Sequence, residues 1–255
     1  MKISIVVPTY NEEKRIGKTI ETVEAFFNKR GGDFELIISD DGSVDKTAEV
    51  VKKLQKKYPN LILAECQHKG KGFTVKAGME RATGNIVLFT DADLATQISE
   101  FEKFQKKFDE GADIAIGSRG IRREGAPAIR WVMAWGLNFL ARVLLGLNFS
   151  DTQCGFKAFR KQALAKILPK LRIYKEGNQI KGSRVTASFD LELLFLAKKL
   201  SAKDGFASGG KFKIREVRVL WEHKRSAAVR PATESVITLV DIFKIKINNF
   251  LGKYS

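Results

Sequence analysis

Cysteine is scarce in this chain and poorly placed for chemistry. Its two cysteines, Cys66 and Cys154, are too far apart in sequence to form a metal-spaced or redox pair. A disulfide-stapled scaffold, a zinc ribbon and a thiol redox enzyme are therefore set aside. Long hydrophobic runs are missing too. In the most apolar stretch, 126–149, Arg130 and Arg142 interrupt the pattern. The uncharged run between them, Trp131–Ala141, falls well short of the roughly 20 residues a helix needs to cross a bilayer. The familiar glycine-rich phosphate loops are absent: no Gly-x-x-x-x-Gly-Lys-Ser/Thr occurs and no Gly-x-Gly-x-x-Gly follows the first strand. That disfavours a P-loop NTPase and a dinucleotide-binding Rossmann protein. No internal repeat or low-complexity tract is present, and no signal-type apolar segment precedes the first strand, so the chain reads as a reducing, cytosolic protein. Acidic residues are outnumbered, 29 against 45 Lys plus Arg, leaving a net charge of +16. Such a charge calls for anionic partners: nucleic acid, an anionic membrane or phosphorylated substrates.

With 44% hydrophobic residues, 255 residues can bury a full core and fit one α/β domain. Ile3–Val7 is a β-branched run stopped by Pro8, and 12–30 carries Ile16, Ile20, Val23 and Phe27 at helical spacing before Gly31 and Gly32. Phe34–Ile38 reads as the second strand, closing on Ser39-Asp40-Asp41-Gly42-Ser43, and a helix with Ala48, Val51, Leu54 and Tyr58 on one face follows. A third strand, Leu61–Ala64, the loop 68–72, a helix over 73–82 and a fourth strand, Ile86–Phe89, complete three βα units. Such repetition implies a parallel sheet with right-handed crossovers. A helix over 98–109, with Phe101, Gln105 and Phe108 in phase, leads to a strand over 113–117.

Beyond 120 the pattern changes. The Trp-rich segment 126–149 suits either a helix lying in a membrane interface or an ordinary buried amphipathic helix. A short helix near 161–168, a mobile loop over 171–188, an apolar helix over 189–200, a Gly-Ser loop over 203–211 and a mainly β stretch over 212–221 follow. A terminal amphipathic helix over 233–251 carries Val236, Leu239, Val240, Phe243, Ile247 and Phe250.

The chemistry concentrates at Ile86–Leu94, where an apolar strand ends in Thr90-Asp91-Ala92-Asp93. The carboxyl end of a parallel strand is where open α/β sheets bind ligands. Hard carboxylates at i and i+2 suit Mg²⁺ or Mn²⁺, and Lys69 and Lys71 are typed to help neutralise a departing diphosphate. Asp-x-Asp is also common as a pair of solvated turn aspartates, and these residues alone leave both readings open.

Four motifs in order, Ile5-Val-Val-Pro-Thr-Tyr-Asn-Glu-Glu13, Ser39-Asp-Asp-Gly-Ser-Val-Asp-Lys-Thr47, Gly70-Lys-Gly72 and Thr90-Asp-Ala-Asp93, resemble the inverting GT-A glycosyltransferases typified by dolichyl-phosphate mannose and glucose synthases. Gly117-Ser-Arg119, Asp151-Thr-Gln-Cys-Gly-Phe-Lys157, Phe189-Asp-Leu-Glu-Leu193 and Val217-x-Val-x-Trp221 are similar to the dolichyl-phosphate β-glucosyltransferase branch. Where mannose synthases carry Gln after the acid pair, this chain has Ala95. The resemblance implies a GT-A fold, a mostly parallel sheet flanked by helices with amphipathic helices in the C-terminal half. Residues 1–120 would bind the nucleotide sugar, and 121–255 would form the acceptor half of the same domain, with interfacial helices.

Pro8, Tyr10 and Glu12 would line the nucleoside, Asp41 or Asp40 would accept from the base imide, and Ala92 would sit in the nucleotide site between the metal and diphosphate ligands Asp91 and Asp93. A half-buried packing role for Tyr10 and plain turn chemistry for Asp40 and Asp41 stay open beside these roles. UDP-glucose is the implied donor, GDP-mannose the second choice. The expected partners are a polyprenyl-phosphate acceptor and a membrane surface, with the protein peripheral on the cytoplasmic face. Nucleic acid is not expected, since the lysines lie on helix faces such as Lys52, Lys53, Lys56 and Lys57.

Proton accounting favours that acceptor. A hydroxyl must lose a proton as it attacks, whereas a phosphate monoester is already anionic at neutral pH. Arg119 and Arg130 are typed to grip such a phosphate bidentately, although both also suit solvated surface charge. A hydroxyl acceptor would instead need a base, and Asp190 or Glu192 would fill that role. A phosphohydrolase using Asp91 or Asp93 as nucleophile fits less well with their place after the fourth strand.

Overall fold

The computed structural model describes residues 1–119, 128–174, 188–203, 212–222 and 231–254, with backbone alone at 128–135, 188, 202–203 and 231–235. The chain runs β1 (Ile3–Thr9), α1 (Ile16–Arg30), β2 (Phe34–Asp40), α2 (Thr47–Gln55), β3 (Leu61–Glu65), α3 (Lys71–Arg81) and β4 (Ile86–Phe89). A 3-10 turn at Ile98–Glu100 then enters α4 (Phe101–Asp109), followed by β5 (Ile114–Ser118), α5 (Ala128–Leu145), β6 (Lys157–Arg160) and α6 (Lys161–Ile167). After a second 3-10 turn at Leu168–Lys170 come α7 (Ser188–Lys203), β7 (Ile214–Arg218) and α8 (Pro231–Phe250).

The strands of the described residues form one seven-stranded sheet in the order β3-β2-β1-β4-β6-β5-β7. Only β6 runs antiparallel to its neighbours. From β1 the chain steps outward to β2 and β3, then returns to place β4 on the other side of β1. That reversal opens a crevice at the carboxyl ends of β1 and β4, the usual ligand position in such sheets. Both faces are covered. Ile5, Val7, Ile38 and Leu88 pack with Ile16, Ile20, Phe27, Phe101 and Phe104 on one face, while Val6, Ile37, Val87 and Phe89 pack with Val75, Leu164, Leu194 and Ile242 on the other.

Several elements differ from the expectation. β1 continues through Pro8 to Thr9. The Thr9 carbonyl accepts from Asp41 N–H on the β2 side, so Pro8 faces β4, whose pairing has already ended at Val6–Phe89. Its missing N–H costs no ladder bond there. α1 starts at Ile16 rather than near Glu12, because Glu12 N–H donates to Thr47 Oγ1 and Glu13 N–H to Asp45 Oδ2, holding the entry as a turn. In α4 Phe101, Phe104 and Phe108 form the buried face, and Gln105 turns to Asp109 instead. β6 was not foreseen: its four residues begin with a lysine and show no strand alternation. The expected mobile loop 171–188 lies mostly outside the described residues, as does the Gly-Ser loop over 203–211, whose first residue still belongs to α7.

At the amino end of the sheet one carboxylate joins three segments. Glu35 of β2 accepts from Ser4 Oγ at 2.5 Å, Thr83 N–H at 2.6 Å and Thr83 Oγ1 at 2.7 Å, and pairs with Lys2 Nζ at 2.9 Å. Burial pushes the Glu35 carboxyl up, but these donors outweigh it and hold it at about 2. A carboxyl lowered on folding stabilises the fold above its ordinary value of 4.5, and that contribution is lost as pH falls toward 2. Glu35→Gln should therefore lose stability at neutral pH and show a shallower further loss between these limits in urea unfolding. An acid limb identical to the parent's would contradict this role.

Candidate active site

The crevice is built from loops that the strand ends project. On the β2 side, Asp40 accepts from Ser43 N–H at 2.9 Å, Ser43 Oγ at 2.5 Å and Thr9 Oγ1 at 3.3 Å, so it fixes the turn. Asp41 accepts from Lys69 N–H at 2.9 Å and from Gly70 N–H at 2.9 Å, tying β2 to the loop before α3. Gly42, at φ +70°, makes the reversal between them. His68 Nδ1 lies 2.9 Å from both Asp41 Oδ2 and the Asp41 carbonyl oxygen, and its ring stacks on Tyr10 with centroids 4.2 Å apart. The turn role of Asp40 and Asp41 is thus explicit in the geometry. His68 escaped the sequence reading because a lone histidine in a basic glycine loop carries no spacing signal.

On the β4 side, Asp91 and Asp93 stand at the crevice as the strand position required. Lys71, the first residue of α3, places Nζ 2.5 Å from Asp91 Oδ1. Asp93 Oδ1 accepts from Ala95 N–H at 2.9 Å in a tight turn that holds Leu94 at φ 47°. Burial and the neighbouring Asp91 charge both push the Asp93 carboxyl up. Glu12 is raised by its own burial and by Asp93, against Arg15 at 3.2 Å. Ala92 buries its side chain in the core and accepts from Thr19 Oγ1 at 2.6 Å, so its described contacts anchor the acid turn to α1. Across the crevice, a Cβ on Gly155 would sit 2.1 Å from Asp91 Oδ2. Any larger residue at 155 would have to displace the Asp91 carboxylate.

That segment delivers Lys157, whose side chain is fully buried at the start of β6. Its Nζ donates to Asp190 Oδ1 at 2.9 Å and to the Cys154 carbonyl, and lies 5.5 Å over the Phe89 ring. Burial raises the Asp190 carboxyl, opposed by Lys157 and Lys71. Burial disfavours the Lys71 ammonium, yet Asp91, Asp190 and Asp93 outweigh that and its pKa is raised. Asp91, Lys71, Asp190 and Lys157 thus form a row of alternating charge from the crevice rim into the core.

The arginines fare differently. Arg119 donates Nε to Asp151 Oδ2 at 2.6 Å and Nη2 to Asp151 Oδ1 at 2.8 Å, and its guanidinium lies 5.7 Å over the Trp221 ring. The fork expected to grip an acceptor phosphate is engaged by a buried carboxylate, so Arg119 here positions the 151–157 segment. The side chain of Arg130 lies outside the described residues. Glu192, fully buried, accepts from Arg172 N–H at 2.7 Å, Ile173 N–H at 3.0 Å and Tyr254 OH at 2.6 Å. It joins α7 to the segment entering residue 175 and to the turn after α8.

Among the described residues, no group of three or more His, Cys, Asp or Glu could hold a metal ion. Two hard carboxylates at an open crevice suit a Mg²⁺ or Mn²⁺ ion that takes its other ligands from a bound diphosphate and water. Burial raises Asp93 most, and the Asp91 charge that adds to it is what a divalent cation between the two would offset.

Because Arg119 and Asp151 are a buried bidentate pair, Arg119→Ala should cost about 3–5 kcal/mol of stability, since it leaves a buried charge uncompensated. Arg119→Ala/Asp151→Ala should recover part of that loss in a denaturant double-mutant cycle. If Arg119→Ala unfolds at the parent's midpoint, the pair is not structural.

Comparison with known proteins agrees with this geometry. The model of Glycosyl transferase family 2 matches residues 4–168. The chain is 30% identical to a dolichyl-phosphate beta-glucosyltransferase of Dictyostelium discoideum over a 269-residue alignment covering 98% of this chain and 75% of that protein. With the Homo sapiens dolichyl-phosphate beta-glucosyltransferase it shares 27% identity, covering 99% of this chain and 77% of that one. Among solved structures, it is similar in fold to glucosyl-3-phosphoglycerate synthase from Mycobacterium tuberculosis, crystallised with Mn²⁺, UDP and glucosyl-3-phosphoglycerate. The TM-score is 0.64 at 17% identity, over 96% of this chain and 79% of that one. A crevice at the β1/β4 reversal, an acid pair at its rim and a family match across the sheet that carries both lead to one assignment: the chain belongs to glycosyl transferase family 2 and is a glycosyltransferase of the GT-A fold.

Proposed function

We propose that this enzyme transfers glucose from UDP-glucose to a polyprenyl phosphate such as dolichyl phosphate, with inversion, in a reaction that depends on Mg²⁺ or Mn²⁺. It would act as a peripheral protein at the cytoplasmic face of the membrane holding that acceptor. The named activity of the relatives supports the sugar and the lipid. The observation that carries the reading is the state of the two carboxylates a hydroxyl acceptor would need as base. Asp190 is bound to Lys157, and Glu192 is filled by the amides of Arg172, Ile173 and Tyr174 and by the Tyr254 hydroxyl. An acceptor that arrives already anionic needs neither.

The parts then take their roles. Pro8, Tyr10 and Glu12 face the nucleoside, with Asp41 and the loop through Lys69 beside the base. Opening of the Tyr10–His68 stack would free an aromatic face for it. A divalent ion held by Asp91 and Asp93 supplies charge neutralisation to the diphosphate. Lys71, within reach of Asp91 and held in its charged form, exchanges part of that contact for the phosphate oxygens. The acceptor phosphate oxygen attacks the sugar C1 from the face opposite the diphosphate, the C1–O bond to UDP breaks with its electron pair, and no proton has to move. A single displacement of this kind inverts the configuration.

Incubating the purified enzyme with radiolabelled UDP-glucose, Mn²⁺ and a short-chain polyprenyl phosphate should move label into the organic phase. Asp93→Asn keeps the shape but removes the ligand charge, and should cut transfer by roughly 100-fold or more. Label found only on a sugar or protein hydroxyl, with Asp190→Asn abolishing it, would replace this reading with a base-catalysed one. Full turnover in excess chelator would remove the metal.

A further inference from the structure

α8 is oriented differently from the usual surface helix. Thr238, Asp241, Ile242 and Ile245 face inward, while Val236, Val240, Phe243, Ile247 and Phe250 face solvent. At 3.6 residues per turn these five positions fall on one narrow stripe about 21 Å long. Exposure reaches 89% at Phe250, 56% at Ile247 and 49% at Phe243. The sequence pattern named these residues as the apolar side of an amphipathic helix, which ordinarily packs on a core. α5 packs against α8 and itself carries two exposed apolar side chains, Phe139 and Val143. Leu251 extends the stripe past the helix end. A contiguous apolar patch of this extent is rare on a monomer left in water.

Its borders identify what covers it. Lys244 and Lys246 are exposed, one on each flank of the α8 stripe, and Arg142 is exposed beside Val143 on α5. Among the described side chains of these two helices the one acid, Asp241, is buried and paired with Lys244 at 2.8 Å. A two-fold copy of the chain would place these cations against their own kind, a like-charge contact that disfavours self-association. An anionic lipid surface complements both features, taking the apolar stripe among its acyl chains and the flanking cations at its headgroups. No helix among the described residues is long and apolar enough to cross a membrane, so the seat is in-plane.

We infer that the outward face of α8 is the surface by which the enzyme sits on an anionic lipid bilayer. Lipid binding follows from this face alone; that the seat serves sugar transfer rests on the acceptor proposed above. α8 packs on α7, which carries Asp190 and Glu192, and the turn after α8 reaches Glu192 through Tyr254. The seat is thereby fixed relative to the crevice.

Phe243→Ser/Ile247→Ser/Phe250→Ser tests the inference, because these side chains are exposed and stand apart from the catalytic groups. The parent should co-sediment with phosphatidylcholine vesicles containing phosphatidylglycerol, and the triple variant should lose at least roughly tenfold in partitioning. Lys244→Gln/Lys246→Gln should lose the preference for anionic over pure phosphatidylcholine vesicles. Transfer to a short-chain, water-dispersed polyprenyl phosphate should stay within about twofold of the parent in the triple variant. Transfer to a long-chain acceptor embedded in vesicles should fall with the binding. Equal sedimentation of parent and triple variant, or a parent that stays in the supernatant, overturns the inference. So does a parent dimer that the triple substitution converts to monomer, since a second copy then covers the face. Vesicle binding without transfer to either lipid would leave the seat standing and remove the acceptor.

Discussion

The ion pair between Lys71 and Asp91 joins the two sides of the crevice, and the site is arranged around it. Lys71 opens α3, Asp91 follows the end of β4, and beyond them Asp190 of α7 and Lys157 of β6 continue the alternation of charge inward. Each buried charge in that row has an opposite neighbour, the condition for keeping ionised groups out of water. Asp93 stands outside the row, raised by burial and by Asp91. The site therefore carries negative charge where a cation is needed and a lysine where a phosphate would arrive.

The antiparallel strand β6 makes this possible. Inserted between β4 and β5, it brings Lys157 beneath Phe89 and lays Gly155 against Asp91, while Arg119 at the end of β5 grips Asp151 at the start of the same segment. The second half of the chain completes the first half's crevice from within one sheet. Glu192 extends the connection outward, gathering α7, the segment entering residue 175 and the turn after α8 on one buried carboxylate. Tyr174, in that segment, lies so close over Gly72 that a Cβ there would meet its ring at 2.3 Å. Packing thus runs without a break from α8 to the residue beside Lys71.

Much of this was legible in the residues. The βα units were, because β-branched runs alternating with 3.6-periodic segments and glycine stops leave few other solutions, and the acid pair was placed at a strand end by the run that precedes it. β6 was not, since four residues beginning with lysine show no period. The facing of α8 was not either: Ile242 and Ile245 on one side and Phe243 and Ile247 on the other give two apolar faces, and only packing chooses between them. Arg119 and Asp190 were picked out by type, but their partners lie 32 and 33 residues away in sequence, at separations no local pattern reports. His68 gave no signal until its ring was found on Tyr10.

On the function proposed above, the row of charge ending at Asp91, with Asp93 beside it, is completed by a divalent ion and a uridine diphosphate. Calorimetric titration of UDP and GDP into the protein, with Mn²⁺ and then with excess chelator, tests it most directly. UDP should bind in the presence of Mn²⁺ at least roughly tenfold more tightly than GDP, and chelator should abolish most of that affinity. Equal affinity for the two nucleotides, or UDP binding that chelator leaves unchanged, would contradict the account.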